Sequence, residues 1–225
     1  MISYQSSAFS KKKKDKRQTP GFKLYLITDR KAVTHCASLI TAVRNALKGG
    51  VRAVQLREKD LGTGELLTLA YKMRDLTNAY KAKLFINDRF DIAFAVDADG
   101  VHLTQKSIPV EVVRNVVKRK LLIGLSAHSL KEAITAEKGG ADFITLGPVY
   151  RTPSKLKYGA PVGVKTLNRV SARLTIPVFA IGGIKSWRIE KVKKAGAYGV
   201  AMISEIFKAE DIKKKAKEII STLEE

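Results

Sequence analysis

Residues 177–204 read PVFAIGGIKSWRIEKVKKAGAYGVAMIS. An apolar run stops at Gly182-Gly183, an amphipathic stretch follows over 187–195, and Gly199 leads into a second apolar run ending at Ser204. Neither run alternates apolar with polar residues. Continuous apolar runs are what strands show when helices cover both faces of a parallel sheet. The stretch therefore reads as strand, glycine turn, helix and strand.

Working outward, the same unit recurs every 20 to 30 residues or so, roughly the length of a βαβ step. Further strands are expected at FKLYLIT (22–28), VRAVQLR (51–57), KLFIN (83–87), GVHL (100–103), LLIGLS (121–126) and DFITLG (142–147). Helices are expected over 39–48, ending at Gly49-Gly50, and over 64–79, 88–96, 109–118, 130–139, 164–170, 187–195 and 211–223. Pro109 suits the first turn of its helix. An open doubly wound sheet is the alternative. Eight regular strand–helix pairs in a 225-residue chain favour closure into a single (β/α)8 TIM barrel, an α/β fold, over residues 21–225.

Residues 1–20 are polar and basic and end in Pro20, next to Gly21; they read as a disordered extension. Within them Lys11 to Arg17 holds six basic residues and one acid, +5 of a net charge of +21. The remaining +16 is spread over helix faces, as at Lys191, Lys193 and Lys194, without interleaved aromatics. That pattern suits a solvated surface that attracts anionic substrates, and no nucleic-acid partner is expected. Apolar runs stop far short of a membrane span, and the first ten residues hold no signal-like stretch. The single cysteine, Cys36, reads as a small buried hydrophobe on a helix, so a reducing, cytoplasmic setting is expected.

Chemistry in such a barrel sits where the strands end. After the second strand, alternation places Gln55, Arg57 and Lys59 on one side, aimed at the mouth, where two cations call for an anion such as pyrophosphate. The plainer alternative pairs them with Glu58 and Asp60. Asn87 can bond a phosphate oxygen, while Asp88 can ligate Mg²⁺ or cap the next helix. Thr152, Ser154 and Lys155 offer donors for a phosphate in a turn-rich loop suited to a lid. Gly182, Gly183, Ile203 and Ser204 fall where loops seven and eight of these barrels bind phosphate. His128 is either an acid–base group or a bystander beside helix-capping Ser126 or Ser129. His102, inside the short fourth strand, reads as structural, and His35 as surface. No spacing suggests zinc.

Taken together, Gln-Leu-Arg-Glu-Lys (55–59), Phe-Ile-Asn-Asp-Arg (85–89), Asp-Gly-Val-His-Leu (99–103), Ile-Gly-Leu-Ser-Ala-His-Ser (123–129), Gly-Pro-Val-Tyr (147–150), Ala-Ile-Gly-Gly-Ile (180–184) and Gly-Val-Ala-Met-Ile-Ser (199–204) resemble the thiamine-phosphate synthase superfamily, which includes the thiazole tautomerases. The resemblance implies a transferase of thiamine biosynthesis that joins a hydroxymethylpyrimidine diphosphate to a thiazole phosphate and releases pyrophosphate. Arg57, Lys59, Asn87 and Lys155 would then hold the diphosphate, and Asp88 would ligate Mg²⁺. Gln55 and Ser126 would face the pyrimidine or the departing group. Thr152, Ser154, Gly183 and Ser204 would hold the thiazole phosphate. One departure stands out: Ser107 occupies the position of the family's second metal-ligating Asp, with Lys106 beside it. A metal-free tautomerase using His128 is the alternative, and a non-catalytic binder of thiamine-related phosphates a minor one. A homo-oligomer is compatible with all three.

Overall fold

The computed structural model describes residues 20–117, 121–152 and 160–225. Eight parallel strands pair in sequence order and close on themselves: β1 (Leu24–Ile27), β2 (Ala53–Leu56), β3 (Lys83–Asn87), β4 (Gly100–Leu103), β5 (Leu122–Ala127), β6 (Phe143–Leu146), β7 (Val178–Ile181) and β8 (Gly199–Met202). All eight expected strands are present: β3 and β4 coincide with their apolar runs, β5 is shifted by one residue, and the other five are shorter. The helices around them are α1 (Leu39–Lys48), α2 (Thr63–Ala79), α3 (Phe90–Ala95), α4 (Val110–Val116), α5 (Leu130–Lys138), α6 (Gly163–Arg173), α7 (Ile189–Lys194), α8 (Ser204–Phe207) and α9 (Ile212–Glu224).

Local chemistry accounts for the helix starts. Ser38, Ser129 and Asp211 each accept a hydrogen bond from a first-turn N–H, at Thr41, Glu132 and Lys214. Two strand starts share one device. Asp99 accepts from Leu84 N at 2.8 Å and from Arg74 at 2.7 Å. Asp142 accepts from Ile123 N at 2.7 Å and is paired with Arg114. An acid before one strand thus locks the preceding strand and the helix that leads into it.

Outward-facing strand residues form the large apolar core beneath the helices. The barrel interior has a separate cluster built on rings: Tyr25, Phe85, Phe143 and Phe179 are fully buried, and Phe22 packs against all four with centroids 5.2–5.9 Å away. Several of these pairs are edge-to-face, worth about 1 kcal/mol each beyond their area. Glycine makes room for them. A Cβ on Gly100 would sit 2.4 Å from Phe85, and one on Gly124 2.5 Å from Phe143. These rings floor the barrel at the amino ends of the strands and leave the carboxyl ends for polar groups.

Several sequence expectations are corrected. Cys36 lies ahead of α1, not on a helix, and is half-buried, with Asn45 Nδ2 3.8 Å from its sulfur. The third helix begins at Phe90, because Asp88 has φ +66° and cannot join it. The seventh is split into a 3₁₀ turn, Ser186–Arg188, and α7. Ser204 ends no strand; it opens the unforeseen helix α8. The expected disordered extension lies outside the described residues apart from Pro20, which is buried.

Candidate active site

The interior residues one step above the aromatic floor divide the mouth in two. On β2 to β6 they are polar: Gln55, Asn87, His102, Ser126 and Thr145. On β1, β7 and β8 they are Ile27, Ile181 and Ala201. Gln55 is 1% exposed; its Nε2 donates to Asn87 Oδ1 at 2.9 Å, and its Oε1 has no partner among the described residues. His102 Nε2 lies 3.0 Å from Ser126 Oγ and 3.3 Å from Thr145 Oγ1. Burial, then the nearby Arg57 charge, pulls the His102 pKa down to about 3, so the ring is neutral. Its Nδ1 has no partner and sits over Gly124, where a Cβ would come within 2.6 Å.

Beyond β2 the expected alternation fails, since the strand stops at Leu56 and Lys59 lies exposed in a turn. The acid between the two cations turns inward. Glu58 is 5% exposed and accepts from Thr28 Oγ1 at 2.7 Å and from Arg30 N at 3.1 Å. Asp60 pairs with Arg30 and Lys31, both at 2.7 Å. With these acids committed to the loop after β1, half-buried Arg57 has no ion pair among the described residues. Its charge lies near enough to His102 to act on that ring.

Asp88 does not cap a helix. Its carboxylate is exposed and takes no hydrogen bond among the described residues, while its backbone N–H donates to His102 O at 2.8 Å. A non-glycine residue at φ +66° costs on the order of 1 kcal/mol, held here by that bond. On the neighbouring loop after β4, Ser107 Oγ accepts from Thr104 N at 2.7 Å and lies 3.0 Å from Thr104 Oγ1. Gln105 donates to Ser126 O at 2.8 Å. No group of three His, Cys, Asp or Glu side chains able to hold a metal occurs among the described residues. The donor set fits an Mg²⁺ ion held by one carboxylate and completed by substrate phosphate oxygens, a common arrangement for that ion. It does not fit an all-protein cage.

At the end of β5, His128 is exposed, and its Nδ1–H donates to Gly147 O at 2.5 Å. The helix cap beside it is Ser129 rather than Ser126. Thr152 is half-buried; Ser154, Lys155 and most of the expected lid lie outside the described residues. Loop 7 (Gly182, Gly183) is packed against loop 6: Val149 N donates to Ile181 O at 2.8 Å and Tyr150 N to Gly182 O at 3.0 Å. Gly182 and Gly183 have φ of +94° and +65°, and a Cβ would strike Pro148 or Tyr150. Ile203 precedes Ser204 at the start of α8, beside that loop.

Three site neighbours escape a sequence reading. Tyr25 is fully buried with an unpartnered hydroxyl whose pKa burial pushes well up. Thr145 completes the His102–Ser126 cluster. Arg188 packs its guanidinium 4.3 Å from the ring centroids of both Tyr150 and Trp187 and donates to Gly183 O at 2.6 Å. Strand alternation with a barrel interior would have flagged Tyr25 and Thr145; nothing local marks Arg188. Away from the mouth, a groove of about 500 Å³ between α6 and α7 is lined by Lys165, Arg169, Lys191 and Lys194, part of the solvated helix ring.

Residues 24–206 match the family model described as "Thiamine monophosphate synthase". A Geobacter sulfurreducens protein named "Putative thiamine-phosphate synthase" is 50% identical over 205 residues, covering 90% of this chain and 94% of that one. The Clostridium novyi thiamine-phosphate synthase is 42% identical, covering 87% and 96%. The solved structure of a thiamine phosphate pyrophosphorylase from Pyrococcus furiosus superposes with a TM-score of 0.82 at 40% identity, covering 90% and 95%.

Proposed function

The chain belongs to the thiamine monophosphate synthase family, and we propose that its barrel mouth joins a hydroxymethylpyrimidine diphosphate to a thiazole phosphate and releases pyrophosphate. One observation carries the assignment of parts. A buried polar sector, in which Gln55 Oε1 has no partner among the described residues, lies between Arg57, which has no ion pair among them, and the glycine loop after β7. In this reading Gln55 Oε1 accepts an N–H from the pyrimidine. Arg57, Lys59, Asn87 and Lys155 hold the diphosphate. Thr152, Ser154, Gly182, Gly183, Ile203 and Ser204 receive the thiazole phosphate.

In the reaction the bond between the pyrimidine methylene and the diphosphate oxygen breaks, and its electron pair leaves with the diphosphate. The thiazole nitrogen lone pair then forms the new C–N bond. Positive charge develops on the pyrimidine and negative charge on the leaving group. Cations grouped at loop 2 stabilise the second, and a His102 kept neutral by burial spares the first a repelling charge. Ser126 Oγ, held against His102 and Thr145, stands ready to donate toward the departing oxygens. Mg²⁺, held by Asp88 and the diphosphate itself, would supply further charge neutralisation there.

A metal-free isomerase acting through His128 would leave Arg57, Asn87 and Asp88 without a task. The test is pyrophosphate release from the two phosphorylated precursors. Release is expected to depend on Mg²⁺ and to be lost in Asp88→Ala. No release by the wild type at any Mg²⁺ concentration refutes the reading.

A further inference from the structure

We propose that Arg188 is a positioning residue for the thiazole-phosphate cradle, setting through the Gly183 carbonyl the direction in which loop 7 presents its backbone N–H groups. The inference rests on the assignment of loop 7 made above. In a trans peptide the N–H points away from the preceding C=O. Gly182 O is taken by Tyr150 N at 3.0 Å, which turns the Gly183 N–H to the opposite side. Gly183 O is taken by Arg188 at 2.6 Å, which does the same for the Ile184 N–H. Neither N–H donates to a partner among the described residues.

Packing forces glycine at both positions, since a Cβ would come within 2.5 Å of Pro148 at Gly182 and 2.8 Å of Arg151 O at Gly183. Glycine brings its own cost, because its peptide planes rotate easily. An outside restraint has to hold them, and Arg188 is the side chain that does so. Its own plane is fixed in turn between the rings of Tyr150 on loop 6 and Trp187 ahead of α7, each 4.3 Å away. Arg188 therefore ties both loops to one geometry. A lysine could replace its charge but neither its flat stack nor the direction of its N–H.

Steady-state kinetics and calorimetric titration with thiazole phosphate on the full chain test the role. Arg188→Ala is expected to raise KM for thiazole phosphate about tenfold, as loss of one charge-assisted hydrogen bond implies. The kcat at saturation and the KM for the pyrimidine diphosphate are expected to stay within about twofold. Arg188→Lys is expected to remain at least about threefold above wild type in the same KM. Trp187→Ala, at a position 74% exposed and thus safe for folding, is expected to shift it by about twofold. An unchanged KM in Arg188→Ala, full rescue by Arg188→Lys, or parallel change in both substrates' KM values overturns the positioning role. Those outcomes leave the reading of loop 7 intact. A wild type that binds no thiazole phosphate overturns that reading, and this inference with it.

Discussion

His102 gives the fold a measurable acid sensitivity. Its ordinary pKa of 6.5 is drawn down to about 3 by burial and, secondarily, by Arg57. The other groups facing it are neutral: the Ser126 and Thr145 hydroxyls, and a Tyr25 phenol whose pKa is itself raised. Below pH 6.5 the unfolded chain binds a proton that the folded chain refuses. Stability from this residue is thus fully present above pH 6.5 and declines as pH falls toward 3. Each pKa unit is worth about 1.4 kcal/mol, so between pH 7.5 and pH 5 the loss is about 2 kcal/mol. Urea unfolding of wild type and His102→Asn across that range isolates the effect, because other groups cancel in the difference. The wild type's advantage is expected to shrink by about 2 kcal/mol on going to pH 5. A pH-independent advantage would refute the reasoning.

Other outcomes are expected on the same grounds. Ser107→Asp adds a carboxylate on the loop next to that of Asp88 and is expected to lower the Mg²⁺ concentration for half-maximal pyrophosphate release by about three- to tenfold; an unchanged Mg²⁺ titration would mean that loop 4 does not reach the ion. Deleting residues 1–18 is expected to leave kcat/KM within about twofold, since the charge they carry is screened over about 8 Å at physiological salt. A large change would assign the basic tail a part in catalysis.

The fold was legible because a covered parallel strand writes itself as an apolar run, and all eight runs hold strands. Ends were less legible. The apolar run past Met202 looks like more strand, yet Ile203 turns and Ser204 starts α8. Asp88 looks like a helix cap, and only its left-handed backbone frees the carboxylate. The cations after β2 were identified by type, but their environment was not. That Glu58 would turn from its neighbours to Thr28 and Arg30 depends on β1 lying beside β2, a contact between residues far apart in the chain. Arg188 is hidden for the same reason, since its partners lie on two different loops.

The ring of aromatics under the polar layer has a consequence for traffic. With Phe22 stoppering the amino end, the barrel is a cup with one rim, and whatever enters must leave the way it came. In the proposed reading the pyrimidine sits at the depth of Gln55, while the glycine loop lies higher, on the rim. On that reading two reactants sharing one doorway would queue: the deeper first and the shallower second. The joined product would then span both levels and leave through the same doorway.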